Sequence, residues 1–242
     1  MNKLLLINAV ACVLLPPFLA AMPPVLKNPG IPAEESFEIA DFIDKETGYL
    51  TAKVNIKLVE RSGAKRYAVT VTEGDLFLNE IELNYDDLTT VSERRTDLKT
   101  GTVVESFVNK GNHTVHFFNK EKKIDKDFKA EDGNIYSRYA YLVSLRGFPF
   151  AERKAVSFKT YMFEYGDALT MNLLNCSKET VTVTAGTFEC YKLELSVGGW
   201  QSVLAADKYY FYLTVAAPHR FIKYAEQEDG TWNTSQLQKL GK

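Results

Sequence analysis

The sequence predicts a mainly β protein, built as a single curved antiparallel sheet of about ten strands with one buried helix. Three observations indicate this fold class. Residues 50–59 alternate apolar and polar side chains, which is the period of a strand with one buried face. Residues 180–195 are rich in β-branched and aromatic types around Ala185-Gly186, which predicts two strands joined by a tight turn. Residues 135–146 are apolar nearly all round a helix, and such a helix belongs inside a protein.

Residues 1–21 predict a secretory signal peptide. Lys3 precedes an apolar run that ends in small residues near Ala21. The run is short for a membrane-spanning helix, and Pro16-Pro17 would break such a helix. Cys12 stands where a lipoprotein could be cleaved, but cleavage there would leave a very short apolar region. We therefore expect export, to the periplasm, of a protein that is not integral to the membrane.

The remaining chain, residues 22–242, is predicted to form a single β-rich domain. No change of composition divides it, and all-β domains of this length often fold as one unit. Removing residues 1–21 takes away Lys3 and no acidic residue, so the formal net charge moves from −2 to −3. A weakly acidic chain of this kind is not expected to bind nucleic acid.

The strands before the helix are predicted to form an antiparallel meander. The candidates, separated by turn residues, are residues 36–42, 50–59, 66–72, 77–85, 102–108 and 113–118. Residues 88–97 are polar on both faces, which favours an edge strand or a solvated crossing. Residues 120–129 balance lysines against acids, and we interpret them as a solvated edge, not a binding patch.

The predicted helix has an N-cap candidate at Asn134 and a stop at Gly147. We expect it to lie against the concave face of the sheet, with Tyr139 and Leu142 mostly buried. Beyond it, the strand candidates are residues 155–164, 169–176, the two arms of the hairpin, 209–213 and 221–224.

The hairpin contains a conflict of faces. Pairing across Ala185-Gly186 places Val181 opposite Cys190 on one face, whereas Leu193 points to the other face. Either a bulge switches the phase or both faces are covered at different ends. We expect coverage on both faces, with the helix on one of them.

Export favours a disulfide between Cys176 and Cys190. In a simple meander, however, the two residues lie two strands apart and are offset along the strands, a separation of about 11–12 Å. A disulfide requires roughly 7 Å or less between the Cα atoms. We therefore expect two unpaired thiols.

The sequence contains no recognisable catalytic or metal-binding motif. His113 and His116 are an odd number of residues apart on a predicted strand, so they point to opposite faces, and His219 lies at a turn. Asp86-Asp87 and Glu34-Glu35 are adjacent acids whose side chains diverge on a strand. There is no nucleophile elbow, phosphate-binding loop or zinc-protease motif. We expect a protein that is not an enzyme, with no catalytic residue, no metal and no cofactor.

Aromatic residues are abundant, with 13 tyrosines and 15 phenylalanines. Ordinary core packing is one interpretation, because a chain of this size buries many such residues in any case. The other is an apolar pocket between the helix and the sheet, because a curved sheet around one short helix leaves space that packing does not easily close. A cavity of about 300 Å³ or more would accept a ligand. The predicted lining is Tyr139, Leu142, Val143, Tyr161, Phe163, Phe211 and Leu213.

Three segments, residues 182–195, 208–213 and 217–224, resemble a family of exported bacterial domains of unknown function, domain-of-unknown-function family 3108. The resemblance extends over residues 35–226 and is most specific in the last third. That family is similar in fold to the LolA-like periplasmic lipoprotein carriers, in which a strongly curved antiparallel half-barrel shelters an apolar cavity. The resemblance implies a non-catalytic periplasmic or envelope carrier for a lipid, an acyl chain or another apolar small molecule. The alternative is a structural or interaction module that binds an envelope protein partner through a sheet edge or face.

Overall fold

The computed structural model describes residues 25–43, 51–109, 114–119, 123–129, 135–162, 167–198, 208–228 and 231–241. The predicted signal peptide and Asn134 lie outside these residues. The strands are β1 (Glu34–Ile43), β2 (Thr51–Arg61), β3 (Ala64–Glu73), β4 (Phe77–Asn84), β5 (Thr90–Asp97), β6 (Val103–Asn109), β7 (Thr114–Asn119), β8 (Ile124–Lys129), β9 (Ile135–Ser137), β10 (Ala155–Met162), β11 (Asp167–Val183), β12 (Gly186–Val197), β13 (Lys208–Thr214), β14 (Phe221–Glu228) and β15 (Thr231–Leu240). One short α-helix, α1 (Tyr141–Ser144), lies between two 3₁₀ turns, Arg138–Ala140 and Leu145–Gly147.

All the strands of the described residues form one sheet of fifteen, in the order β8-β7-β6-β5-β4-β3-β2-β1-β15-β14-β13-β12-β11-β10-β9. The mainly β fold with a single curved, unclosed sheet is confirmed, although the number of strands exceeds the ten expected. Neighbouring strands pair antiparallel except β9, which pairs parallel to β10. Strand β2 shows the predicted alternation, with Ala52, Val54 and Ile56 buried and the residues between them exposed.

The sheet curls until its end strand β9 reaches β5. The Ser137 amide donates a hydrogen bond to the Thr90 hydroxyl at 2.7 Å, which joins the two strands without a ladder between them. Strands β6, β7 and β8 continue past this junction as an extension of the sheet. The curved sheet thus wraps round a core to which the helical segment contributes Ala140, Val143 and Leu145.

The helical segment occupies residues 138–147, so the prediction of a helix over residues 135–146 was wrong at its start. Ile135–Ser137 forms β9 instead, because the Thr160 hydroxyl of β10 donates to the Tyr136 carbonyl at 2.6 Å and the strand pairs with β10. Ser137 then caps the first turn, since its side chain accepts from the Tyr139 amide.

A buried ion pair fastens the end of the helical segment to the sheet. Arg146 is fully buried, and its Nη1 and Nη2 atoms donate to the two carboxylate oxygens of Glu35 at 3.3 and 3.1 Å. The Nε atom of Arg146 donates to the Pro218 carbonyl at 3.0 Å. One side chain therefore links the helical segment, β1 and the turn between β13 and β14.

The hairpin turns at Thr184-Ala185, one residue earlier than predicted. Val183 pairs with Gly186, and Gly186 has a φ of 135°, a conformation that glycine adopts readily. Both of the alternatives considered for the hairpin, a bulge and burial on both faces, occur in the structure. Strand β11 carries a bulge at Cys176, and the regularly paired β12 buries Cys190 on one face and Leu193 on the other.

Strand β5 corrects the interpretation of residues 88–97 as an edge or a solvated crossing. It lies between β4 and β6, and its Glu93 is only 2% exposed. Residues 88–97 look polar on both faces because the buried face of the sheet is itself polar at β5. Strand β8, in contrast, ends the sheet, as expected of an edge.

Cys176 and Cys190 are both free, so the prediction of unpaired thiols is confirmed. Cys176 is exposed at the bulge, and Cys190 is buried. Among the described residues, no helix is long and apolar enough to cross a membrane.

Candidate ligand-binding site

A pocket of about 430 Å³ lies between the helical segment and strands β10 to β14. This volume lies within the range of small-molecule sites. Most of its lining is apolar or aromatic, and its residues are Arg138, Tyr139, Tyr141, Leu142, Thr160, Leu169, Met171, Leu195, Val197, Tyr209, Phe211, Tyr224 and Glu226.

Three of the predicted lining residues, Tyr139, Leu142 and Phe211, lie on the wall of this pocket. Val143 and Leu213 are fully buried in the core and do not line it. Tyr161 lies in β10, where it pairs with Ala168 and Ser137, but its side chain is outside the described part of the chain. Phe163 is also outside the described residues.

Sequence reasoning missed several lining residues on the strands. Met171 and Leu195 belong to alternating stretches of β11 and β12, and Tyr209 lies in β13 two residues before Phe211, which was predicted. The period of two in these strands was the signal that could have found them. Tyr141 was missed for another reason, because the mixture of 3₁₀ and α turns rotates a different set of side chains toward the pocket than a regular helix would.

The aromatic side chains of the pocket contact one another edge to face. The ring of Tyr141 meets Phe158 at 5.9 Å and 78° and Phe211 at 6.0 Å and 83°. Phe211 in turn contacts Tyr224 at a centroid distance of 4.9 Å. Such contacts hold the rings in fixed orientations, so this wall of the pocket is preorganised.

Two opposite charges line the pocket, and each has a phenol partner. Arg138 donates from Nη2 to the Tyr139 hydroxyl at 2.6 Å, and the Tyr224 hydroxyl donates to Oε2 of Glu226 at 2.7 Å. Burial, together with the neighbouring Glu226 carboxylate, raises the pKa of Tyr224 well above its ordinary value. The described lining therefore carries one positive and one negative side chain, each hydrogen-bonded to a phenol.

The hydroxyl of Tyr141 is the exception among these polar groups. It is buried and has no hydrogen-bond partner among the described residues. It lies beside the Thr160 hydroxyl, which lowers its pKa, but the two groups do not meet the geometry of a hydrogen bond. Burial has the larger effect and raises the pKa of Tyr141, so the hydroxyl stays protonated.

The inner face changes character from apolar to polar across the sheet. One row of paired residues runs Ile56, Val69, Ile81, Glu93 and Ser106, all of them buried. The apolar members belong to β2, β3 and β4, and the polar members to β5 and β6. The half-barrel thus has a polar inner wall beyond β4.

Arg95 joins this polar wall to the pocket. Its guanidinium lies between the rings of Phe77 and Tyr139, at 3.8 and 4.4 Å. It also donates to Glu73 at 3.1 Å and to the side-chain oxygen of Asn79 at 2.8 Å. The ring of Tyr139, which lines the pocket, therefore contacts two guanidinium groups, since that of Arg138 lies 4.7 Å from its centroid.

No group of three or more potential metal ligands occurs within the described ranges. His116 is exposed and lies 3.0 Å from Asp127 across β7 and β8. His219 is not part of such a group among the described residues. Its Nδ1 is 2.9 Å from the Thr214 carbonyl. Since a carbonyl only accepts, Nδ1 carries the proton.

The fold and the pocket define this chain as a curved, open-sheet protein with an apolar site on its inner face. It is similar in structure to a beta-barrel-like protein of a domain of unknown function, DUF1849, from Brucella abortus, with a TM-score of 0.50 and 11% sequence identity. The match covers 86% of this chain and 97% of that one. At this identity, the likeness shows a shared fold alone.

Two further structures are similar at lower scores. One, provisionally named an exported protein with a YmcC-like fold, from Bacteroides fragilis, has a TM-score of 0.35, 11% identity and coverage of 90% of this chain and 100% of that one. The other, provisionally named a lipoprotein, from Parabacteroides distasonis, has a TM-score of 0.37, 10% identity and coverage of 87% and 96%. No protein-family model and no curated protein matches the sequence. The resemblance to family 3108 and to the LolA-like carriers therefore stays a prediction.

Proposed function

We propose that the protein is an exported, non-catalytic binding or carrier protein that holds an apolar small molecule, such as a lipid or an acyl chain. The observation that carries this proposal is the pocket of about 430 Å³ between the helical segment and the sheet. An apolar ligand that binds against the aromatic and aliphatic wall removes its surface from water, and this removal is the main source of affinity for such ligands.

The preorganised rings support the same proposal. A pocket whose side chains are already fixed pays less ordering entropy when a ligand enters. The polar groups of the wall support binding without catalysis, because the phenols of Tyr141 and Tyr224 have raised pKa values and hold their protons. The predicted signal peptide supports a location in the cell envelope.

Titration of the mature protein with a fluorescent fatty-acid analogue tests the proposal. We expect saturable binding that Leu142→Asp weakens at least tenfold, because a carboxylate on the pocket wall opposes the burial of hydrocarbon. Leu174→Asp is the matched control, since Leu174 is 42% exposed and does not line the pocket. Absence of saturable binding, or equal loss in both variants that still fold, would contradict the proposal.

The second candidate is an interaction module of the cell envelope that binds a protein partner. Strand β8 ends the sheet of described strands, and Phe107 on the neighbouring extension is 51% exposed. An exposed strand edge can pair with a strand of another chain. Mass spectrometry of organic extracts from gently purified protein separates the candidates, because a co-purifying lipid favours the carrier and a clean extract favours the module.

A further inference from the structure

We propose that the pocket prefers a single-chain amphiphile with an uncharged oxygen group, an alcohol or an ester, and that the Tyr141 hydroxyl donates a hydrogen bond to that oxygen. This inference rests on the proposed binding function and specifies the ligand class.

The position of Tyr141 carries the argument. The residue is 6% exposed, it lines the pocket, and its hydroxyl has no hydrogen-bond partner among the described residues. Its ring packs edge to face against Phe158 and Phe211, and these contacts favour the observed orientation. A buried hydroxyl without a partner is costly, and a ligand oxygen at this point would remove the cost.

The neighbouring Thr160 adds a complementary acceptor. Thr160 lines the pocket, and its hydroxyl proton is used in the bond to the Tyr136 carbonyl at 2.6 Å, so its oxygen can only accept a further hydrogen bond. An alcohol can accept from Tyr141 and donate to Thr160, whereas an ester can accept from Tyr141 alone. Both ligands satisfy the buried phenol.

The charges of the wall argue for an uncharged group. The described lining holds one positive and one negative side chain, Arg138 and Glu226, so an ionised head group would meet a like charge as well as an opposite one. The volume of about 430 Å³ lies toward the small end of ligand pockets, which typically span roughly 300–1,000 Å³. The pocket therefore suits one hydrocarbon chain and not the two hydrocarbon chains of a diacyl lipid.

Competition against the fluorescent fatty-acid analogue tests this inference with four probes that each carry a ten-carbon chain: 1-decanol, methyl decanoate, decanoate and 1-chlorodecane. We expect the alcohol and the ester to bind more tightly than the chloride, which matches the shape of the alcohol without its oxygen, and more tightly than the carboxylate. In Tyr141→Phe we expect the affinity for the alcohol and the ester to fall about 3- to 10-fold, while that for the chloride changes less than twofold.

Tyr210→Phe is the matched control, because Tyr210 contacts Trp232 at 5.9 Å and is not part of the pocket. If 1-chlorodecane binds as well as 1-decanol to the unaltered protein, or if Tyr141→Phe weakens all probes equally, the inference is overturned while the binding function stands. Tighter binding of decanoate would overturn it as well. If the fluorescent analogue does not bind and none of the four probes binds, the proposed binding function is contradicted together with this inference.

Discussion

At the scale of single residues, the buried pair of Arg146 and Glu35 connects the helical segment to β1. Both side chains are removed from water, and Arg220 approaches the same carboxylate, with its Nε atom 3.4 Å from Oε1. Burial lowers the pKa of Arg146, and the charge of Glu35 opposes that effect. The arginine stays charged because the carboxylate compensates for its lost hydration.

Replacing Glu35 by Gln should therefore lower the free energy of unfolding by about 3–5 kcal/mol, because it leaves a buried guanidinium without its counter-charge. Urea denaturation of the mature protein measures the loss. Glu34→Gln is the control one residue away, since Glu34 pairs with Lys57 at 3.3 Å in an exposed position and such pairs contribute about 0–1 kcal/mol. Similar losses in both variants would contradict the role given to Glu35.

His219 supplies a prediction about pH. Burial lowers its pKa below the ordinary value of 6.5, and the positive charge of Arg146 acts in the same direction. As pH falls below 6.5, the unfolded chain takes up a proton that the folded protein resists, so stability should decrease toward the lowered pKa. The test variant is His219→Asn, because asparagine does not titrate and tolerates the positive φ of 55° found at this position.

We expect the variant to lose less stability than the unaltered protein between pH 7.5 and pH 5.5. Thermal unfolding at several pH values measures the difference. Parallel curves for the two proteins would show that folding does not shift the pKa of His219, which would contradict the prediction.

At the scale of elements, the long hairpin of β11 and β12 shows how one strand can serve two faces. The 17-residue strand β11 changes phase at the bulge of Cys176, and beyond the bulge the hairpin approaches β15, where the Ala185 amide donates to the Leu237 carbonyl at 3.3 Å. Cys190 is buried on the face opposite to that of Leu193. The two thiols therefore report different environments of one element.

We expect a thiol reagent to modify only Cys176 in the folded mature protein and both cysteines in denaturant without a reductant. Burial raises the pKa of Cys190 to about 12, which suppresses the reactive thiolate further. Mass spectrometry counts the modified residues. Modification of neither residue in denaturant would reveal a disulfide, and rapid modification of Cys190 in the folded state would contradict the burial of β12.

Element boundaries also show which parts of the fold the sequence could predict. Strands β2 and β3 were predictable because alternation is a local signal that their pairing preserves. Residues 135–137 resemble the start of a helix locally, and only hydrogen bonds to the distant β10 and β5 make them a strand. The polar β5 was misleading because its burial depends on neighbours far away in sequence.

The same reasoning explains the candidate site. Phe211 and its neighbours lie on a regular strand, so the face that they share could be deduced. Tyr141 could not, because the phase of its turn depends on the 3₁₀ geometry around α1. The Arg146 ion pair could not be predicted from the sequence either, because no local pattern indicates that an arginine contacts a carboxylate of the first strand.

At the scale of the whole molecule, the junction of β9 with β5 determines how far the sheet closes round its core. Thr90 is buried, and its hydroxyl is the acceptor for the Ser137 amide. Thr90→Val keeps the shape of the side chain and removes this acceptor. We expect a loss of about 1–3 kcal/mol in the free energy of unfolding, because a buried amide is left without a partner.

Hydrogen exchange followed by mass spectrometry should show faster exchange in residues 135–137 of this variant. Thr70→Val is the control, since Thr70 is a half-buried residue of β3 between Val69 and Val71, which point into the core. If exchange in residues 135–137 is unchanged by Thr90→Val, the junction does not hold β9 in place.

The pairing of β1 with β15 has a consequence for how the chain reaches this structure. Phe37 lies opposite Leu240, so the first described strand finds one of its two neighbours only when nearly the whole sequence is available. Contacts of such large sequence separation slow folding, because the chain must close a very long loop before they form. During synthesis, β1 therefore lacks one of its two neighbours until residues 231–240 have left the ribosome, and the sheet cannot be completed before then.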